Sequence, residues 1–180
     1  MIYMFLADGF EEVEALCPLD LLRRAGLEVT TVGIGGKETV TGSHGIIVHT
    51  DIPDVMYRDS DPDMIILPGG MPGSTNLDES RIVDTALKVA SKKGAYLCAI
   101  CAAPMVLGKR GYLDGKKAIC YPGFEQYLKG AEISGECVVR DGNIITAKGM
   151  GVALEFGLEL VRAMKDNDTA DKIKASVFAK

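Results

Sequence analysis

The chain has 180 residues, 47% of them hydrophobic and 25% charged, with a net charge of −5, a composition that excludes disordered, collagen-like and low-complexity classes. That length suits one α/β domain burying roughly 70% of the surface its unfolded chain exposes, so a single domain over 1–180 is expected. Lysine and arginine are scattered in short pairs such as Lys92-Lys93 and Lys116-Lys117, which leaves no basic stripe to neutralise a phosphate backbone and argues against nucleic acid as a partner.

The opening MIYMFLADGFEE has no basic lead and turns acidic after seven residues. It is read as neither signal peptide nor membrane span, and a cytoplasmic protein with no membrane partner is expected. Five cysteines, an odd number and widely spaced, argue against a disulfide framework, so free thiols are expected.

Apolar β-type runs then alternate with helical patterns along the chain. Strands are predicted at 2–6, 27–33, 64–67 and 95–100, with helices at 11–24 and 78–93. Segments 38–41 and 46–50 flank Gly42 and Gly45 as a hairpin; 136–140 and 144–147 flank Asp141-Gly142-Asn143, a strong hairpin turn. A last helix over 152–164 carries Leu154, Leu158 and Val161 on one face and Glu155, Glu159 and Arg162 on another, so it should cover the sheet. The alternation predicts a mostly parallel sheet wrapped by helices, with antiparallel hairpin additions.

In such a sheet, ligands bind where the strands end at their carboxyl termini. After Leu67 comes PGGMPG, in which adjacent Gly69 and Gly70 let backbone N–H groups turn toward a developing negative charge. After Ile100 comes Cys101, followed by Ala102, Ala103 and a helix-initiating Pro104, so a sharp strand-to-helix turn should hold the sulfur over a helix N-terminus. A cysteine so placed is expected to ionise below its free value of ~8.5 and to act as a nucleophile, rather than pack as a small hydrophobe. Cys98 and Cys101 also spell C-A-I-C, but Cys98 falls inside the predicted strand and no second pair exists to complete a zinc site. No metal is assigned.

Glu11, Glu12 and Glu14 follow the first strand. The first two suit a helix N-terminus facing solvent. Glu14 reads equally as a surface carboxylate or as an acid facing the sulfur. Pro18 has no N–H for the carbonyl of Glu14, which predicts a bend there.

LADGFEEVEAL (6–16), LPGGMPG (67–73) and AICAAP (99–104), in that order and spacing, resemble the ThiJ/PfpI superfamily, most closely its DJ-1 branch. The similarity extends to RRAG (23–26), DGNIITAKGMG (141–151) and the closing helix. The resemblance implies a flavodoxin-like three-layer sandwich, a homodimer, a nucleophile-elbow Cys101 facing Glu14, and an oxyanion-type pocket from the backbone of Gly70 and Ala102, with Gly69 beside it. It further implies pocket or dimer contacts at Tyr121, His44, Met150 and Arg24, and no cofactor. The activity implied is glyoxalase- or deglycase-type conversion of small reactive carbonyls such as methylglyoxal, or of their adducts; the alternative is a redox sensor or chaperone switched by oxidation of Cys101.

Two departures narrow this. Peptidase-like members place His after the nucleophile, where this chain has Ala102, and a further family His position matches Tyr121, whose phenol is a poor base near neutrality. His44 and His49, in the hairpin, read as solvent-facing. The first helix also argues for a dimer, because Val13, Leu16, Cys17 and Leu21 form one apolar stripe and Ala15, Leu19 and Leu22 another, so it should be covered on two sides.

Overall fold

A computed structural model of the chain describes residues 1–58 and 61–179. The elements in chain order are β1 (Ile2–Leu6), α1 (Glu12–Arg24), β2 (Val29–Gly33), β3 (Thr39–Thr41), β4 (Ile47–His49), β5 (Ile52–Pro53), β6 (Met64–Leu67), α2 (Gly73–Glu79), α3 (Arg81–Lys93), β7 (Tyr96–Ile100), α4 (Pro104–Gly108), β8 (Lys117–Ala118), β9 (Glu132–Ile133), β10 (Val138–Asp141), β11 (Ile144–Ala147), α5 (Ala153–Met164) and α6 (Asn167–Ser176). Seven strands form the main sheet in the order β10-β11-β7-β6-β1-β2-β5. All its pairings are parallel except β10 with β11. The β3–β4 hairpin stands apart as its own two-stranded sheet.

Alternate residues of each strand feed opposite faces, as a pleated strand requires. Tyr3, Phe5, Ile65, Leu67, Leu97 and Ala99 pack under α2, α3 and α4. Ile2, Met4, Leu6, Met64, Ile66, Cys98 and Ile100 pack under α1, α5 and α6. Both faces are covered, which explains why these strands read as unbroken apolar runs. The result is a flavodoxin-like three-layer sandwich.

Several predicted boundaries move for identifiable reasons. The second strand starts at Val29, not 27, because the Leu27 N–H is taken by the carbonyl of Leu22 at the end of α1 (3.1 Å). Ala95 is likewise held by Ala90 (2.9 Å), beyond a left-handed Gly94, a helix-ending pattern that delays the next strand. The single helix predicted over 78–93 is two helices, broken at Ser80, whose extended backbone and side-chain oxygen cap α3 at the Val83 N–H. The closing helix is followed by α6, which starts where the Asp166 side chain accepts from Thr169 N (2.7 Å).

α1 runs on through Pro18 as a helix. α5 packs directly against it, since a Cβ on Gly157 would lie 2.9 Å from the Cα of Pro18 and 2.6 Å from Leu21 Cδ1. Leu21 is therefore buried. The free stripe of α1 shrinks to Val13, Leu16 and a half-buried Cys17.

The crossovers from β1 to β2 and from β6 to β7 lie on opposite faces, and β1 and β6 are neighbours. Their carboxyl ends therefore part, and a crevice opens between the loops that follow them.

Candidate functional site

Three loops meet at that crevice. The first follows β1 and leads into α1, where Glu11 is the N-cap: its side chain accepts from Glu14 N (2.7 Å). Glu14 is thus the third helical residue, a position whose carboxylate ordinarily reaches back to the cap N–H. Here the Glu11 N–H is already bound to the Gly69 carbonyl (2.9 Å). The Glu14 carboxylate is left to turn inward, where it accepts from Gly69 N (3.0 Å) and from the Cys101 thiol.

The second loop, after β6, requires glycine twice. A Cβ on Gly69 would lie 2.3 Å from Glu14 Oε2 and 2.6 Å from the Cβ of Cys101. Gly70 has φ +89°, and a Cβ there would lie 2.3 Å from Glu11 N; only glycine takes that conformation and approach without strain.

The third loop follows β7. Cys101 has φ +64°, a left-handed conformation rare for a side-chain-bearing residue and common at functional turns. Its N–H donates to Ala147 O at the end of β11 (2.9 Å) and its carbonyl accepts from Tyr121 N (2.8 Å), so the turn is held from two sides. The sulfur receives the N–H groups of Gly70 and Ala102.

Electrostatics tie the two side chains together. Glu14 is 1% exposed. Burial, aided by the charge of Glu11, raises its carboxyl to about 7 against the bonds from Cys101 and Gly69. Burial also raises the Cys101 thiol, and the charge and hydrogen bond of Glu14 raise it further, to about 12, against the two N–H groups. This corrects the thiol expected from sequence to ionise early. The helix that was to favour a thiolate, α4, has only five residues, too short for a developed dipole. The two groups are instead coupled: the thiol donates to Glu14, and the charge of Glu14 disfavours ionisation of the sulfur.

Cys101, Glu14, Gly69, Gly70 and Ala102 therefore lie together. Tyr121 and Met150 stand beside them, both exposed, around a cavity that also includes Gly149. Two other residues named from sequence lie elsewhere. Arg24, at the far end of α1, pairs with Asp20 (2.6 Å). His44 is bonded through Nδ1 and its backbone N–H to Glu12 (both 2.8 Å). Burial would raise Glu12, but these bonds carry it down to about 2, and the pair pins the β3–β4 hairpin to α1. Donor atoms of Glu11, Glu12 and His44 lie within 4.8 Å of one another, yet capping and the Glu12–His44 bonds already occupy them. Cys98 is fully buried in β7, where burial raises its thiol well above the ordinary range, so it does not share the crevice with Cys101. Sequence reasoning missed Glu11 as the cap, Ala147 as the anchor of Cys101, and Gly149; the KGMG run after β11 was the one available signal for the last.

The fold and site define a class: a doubly wound α/β protein with a cysteine on a strand-to-helix turn and a buried acid opposite it across the switch point. Residues 1–163 match the DJ-1/PfpI family. The chain belongs to that family. It is 35% identical to Protein dj-1beta of Drosophila melanogaster over 94% of this chain and 92% of that one; the crystal structure of that protein superposes with a TM-score of 0.94 at 33% identity, covering 99% and 97% of the two chains. The structure titled Toxoplasma gondii DJ-1, oxidized, superposes with a TM-score of 0.95 at 33% identity, over 99% and 97%. A glutathione-independent glyoxalase of Caenorhabditis elegans is 32% identical over 91% of this chain and 87% of that one. No helix among the described residues is long and apolar enough to cross a membrane.

Proposed function

We propose that the protein converts small α-oxoaldehydes to 2-hydroxy acids, with Cys101 as nucleophile and Glu14 as the proton carrier. The observation that carries this is the buried Glu14 carboxyl, which accepts from Gly69 N (3.0 Å) and from the Cys101 thiol, with two backbone N–H groups directed at the sulfur. The family resemblance to a named glyoxalase supports it.

The chemistry follows from the pair. Ionised Glu14 takes the thiol proton as sulfur adds to the aldehyde carbon, so a C–S bond forms as the C=O π bond opens. The N–H groups of Gly70 and Ala102 receive the developing oxyanion. Glu14 returns that proton to the oxyanion, giving a hemithioacetal, and, ionised again, carries the proton of the former aldehyde carbon to the neighbouring carbonyl carbon while the hydroxyl proton passes to the ketone oxygen. The first carbon is oxidised to a thioester while the second is reduced to an alcohol, so no external oxidant is required. Water cleaves the thioester and restores the thiol. No step calls on a cofactor.

The direct test is the conversion of methylglyoxal to lactate without glutathione. Cys101→Ser and Glu14→Gln should each abolish it, and the rate should climb as pH rises through about 7, where Glu14 becomes the base. Selective oxidation of Cys101 by peroxide with no turnover would instead favour the redox-sensor reading. That reading has its own support in the oxidized state of the Toxoplasma neighbour and in donors suited to an oxidised sulfur.

We further propose that a second copy of the chain covers Val13 and Leu16, which α1 leaves 44% and 37% exposed.

A further inference from the structure

The catalytic pair explains how an oxoaldehyde would react, and leaves unassigned where its remaining substituent would go. Adjoining the Glu14 side of the pair through Gly149 lies an open cavity of about 410 Å³, its walls formed mainly by Tyr121, Pro122, Gly149, Met150 and Val152, with Lys148 among the lining residues. Its size falls in the range of small-molecule sites.

Three observations join it to the reacting atoms. Tyr121 N is bound to the Cys101 carbonyl (2.8 Å), which fixes the start of one wall. The Cys101 N–H is bound to Ala147 (2.9 Å), the residue before Lys148, which fixes the other. Between them stands Gly149: a Cβ there would lie 3.4 Å from Tyr121 Cδ2 and 3.9 Å from Glu14 Oε1. Gly149 thus borders both the carboxylate and the Tyr121 wall, so a passage between the carboxylate and the cavity would run past this residue. Tyr121 and Met150, 51% and 53% exposed, present apolar surface that no other described residue covers.

We propose that this cavity receives the group carried on the ketone carbon, and that its chemistry favours a flat apolar substituent of aryl size over a methyl. The inference rests on the oxoaldehyde reading for its substrate but not for its geometry. The gain comes from apolar surface removed from water, which grows with the substituent. A difference of several buried carbons separates substrates by roughly tenfold or more.

The test reads the cavity without turnover. Phenacyl bromide and bromoacetone alkylate a thiol alike, forming an S–C bond and releasing bromide and a proton, and differ only in phenyl against methyl. Labelling of Cys101 is followed by mass spectrometry and normalised to exposed Cys137 on the same molecule. The normalised preference for the phenyl reagent is expected to be about tenfold or more. Gly149→Leu, at a position whose φ of 165° any residue adopts, should fill the passage and bring the preference close to one. Met150→Ala should lower it several-fold. A preference near one in the unaltered protein, or a preference that neither variant changes, overturns the proposal. In parallel, kcat/KM for phenylglyoxal should exceed that for methylglyoxal. If the phenyl reagent is preferred but neither oxoaldehyde turns over, the cavity stands and the proposed reaction falls; if Cys101 labels with neither reagent, both fall.

Discussion

Glu14 stores a cost that its proposed role as proton carrier explains. Its folded pKa, raised by burial to about 7 from 4.5, means that the native state holds the proton more tightly than the unfolded chain. Stability from this group is therefore full below pH 4.5, declines as pH rises toward 7, and stays reduced above it. Glu14→Gln keeps an acceptor for Gly69 N and removes the charge. Urea unfolding should show the variant more stable by up to about 3 kcal/mol above pH 7 and no more stable below pH 4.5, while the pH dependence of thiol reactivity through 7 disappears. Gly69→Ala acts oppositely. Its Cβ would sit 2.3 Å from Glu14 Oε2, so separating the pair should cost about 1–3 kcal/mol and sharply slow alkylation of Cys101, read by a shifted urea midpoint and by labelling rate.

Among the elements, α1 carries the most. Its first turn presents Glu14, its middle packs on α5, and Glu12 ties it to the β3–β4 hairpin. Gly157→Val would drive a branched side chain against backbone at Pro18, where even one Cβ falls at 2.9 Å. A loss of roughly 1–3 kcal/mol is expected by urea titration, with no change in the activity of the fraction that folds. The same elements show what a sequence can and cannot disclose. Strands β1, β6 and β7 and the junction at Cys101 were legible because unbroken apolar runs of four or five residues bounded by loop residues have few other structures. Glu14 could not be resolved: its direction depends on the carbonyl of Gly69, fifty-five positions away, occupying the cap N–H. The thiol's pKa was misjudged for a related reason, since burial and the charge of Glu14 are set by packing. The break at Ser80 was hidden in a pattern that runs through it, and α6 is too polar to announce itself by periodicity.

At the scale of the molecule, the apolar surface left by α1 is the unfinished part of the fold. Leu16→Glu should convert a dimer to a folded monomer in sedimentation velocity runs, with circular dichroism unchanged; a monomer before substitution would remove the second copy from the proposal. The site also draws on both halves of the chain. Glu14 arrives early in synthesis, Cys101 past the midpoint, and the carbonyl that fixes the Cys101 N–H belongs to Ala147. A chain still on the ribosome, with its C-terminal portion in the exit tunnel, accordingly carries a sulfur without an address. Its alkylation rate in stalled nascent chains should match that of an unstructured thiol until β11 has emerged and paired, so the growing polypeptide passes through the cell's pool of electrophiles without selective chemistry of its own.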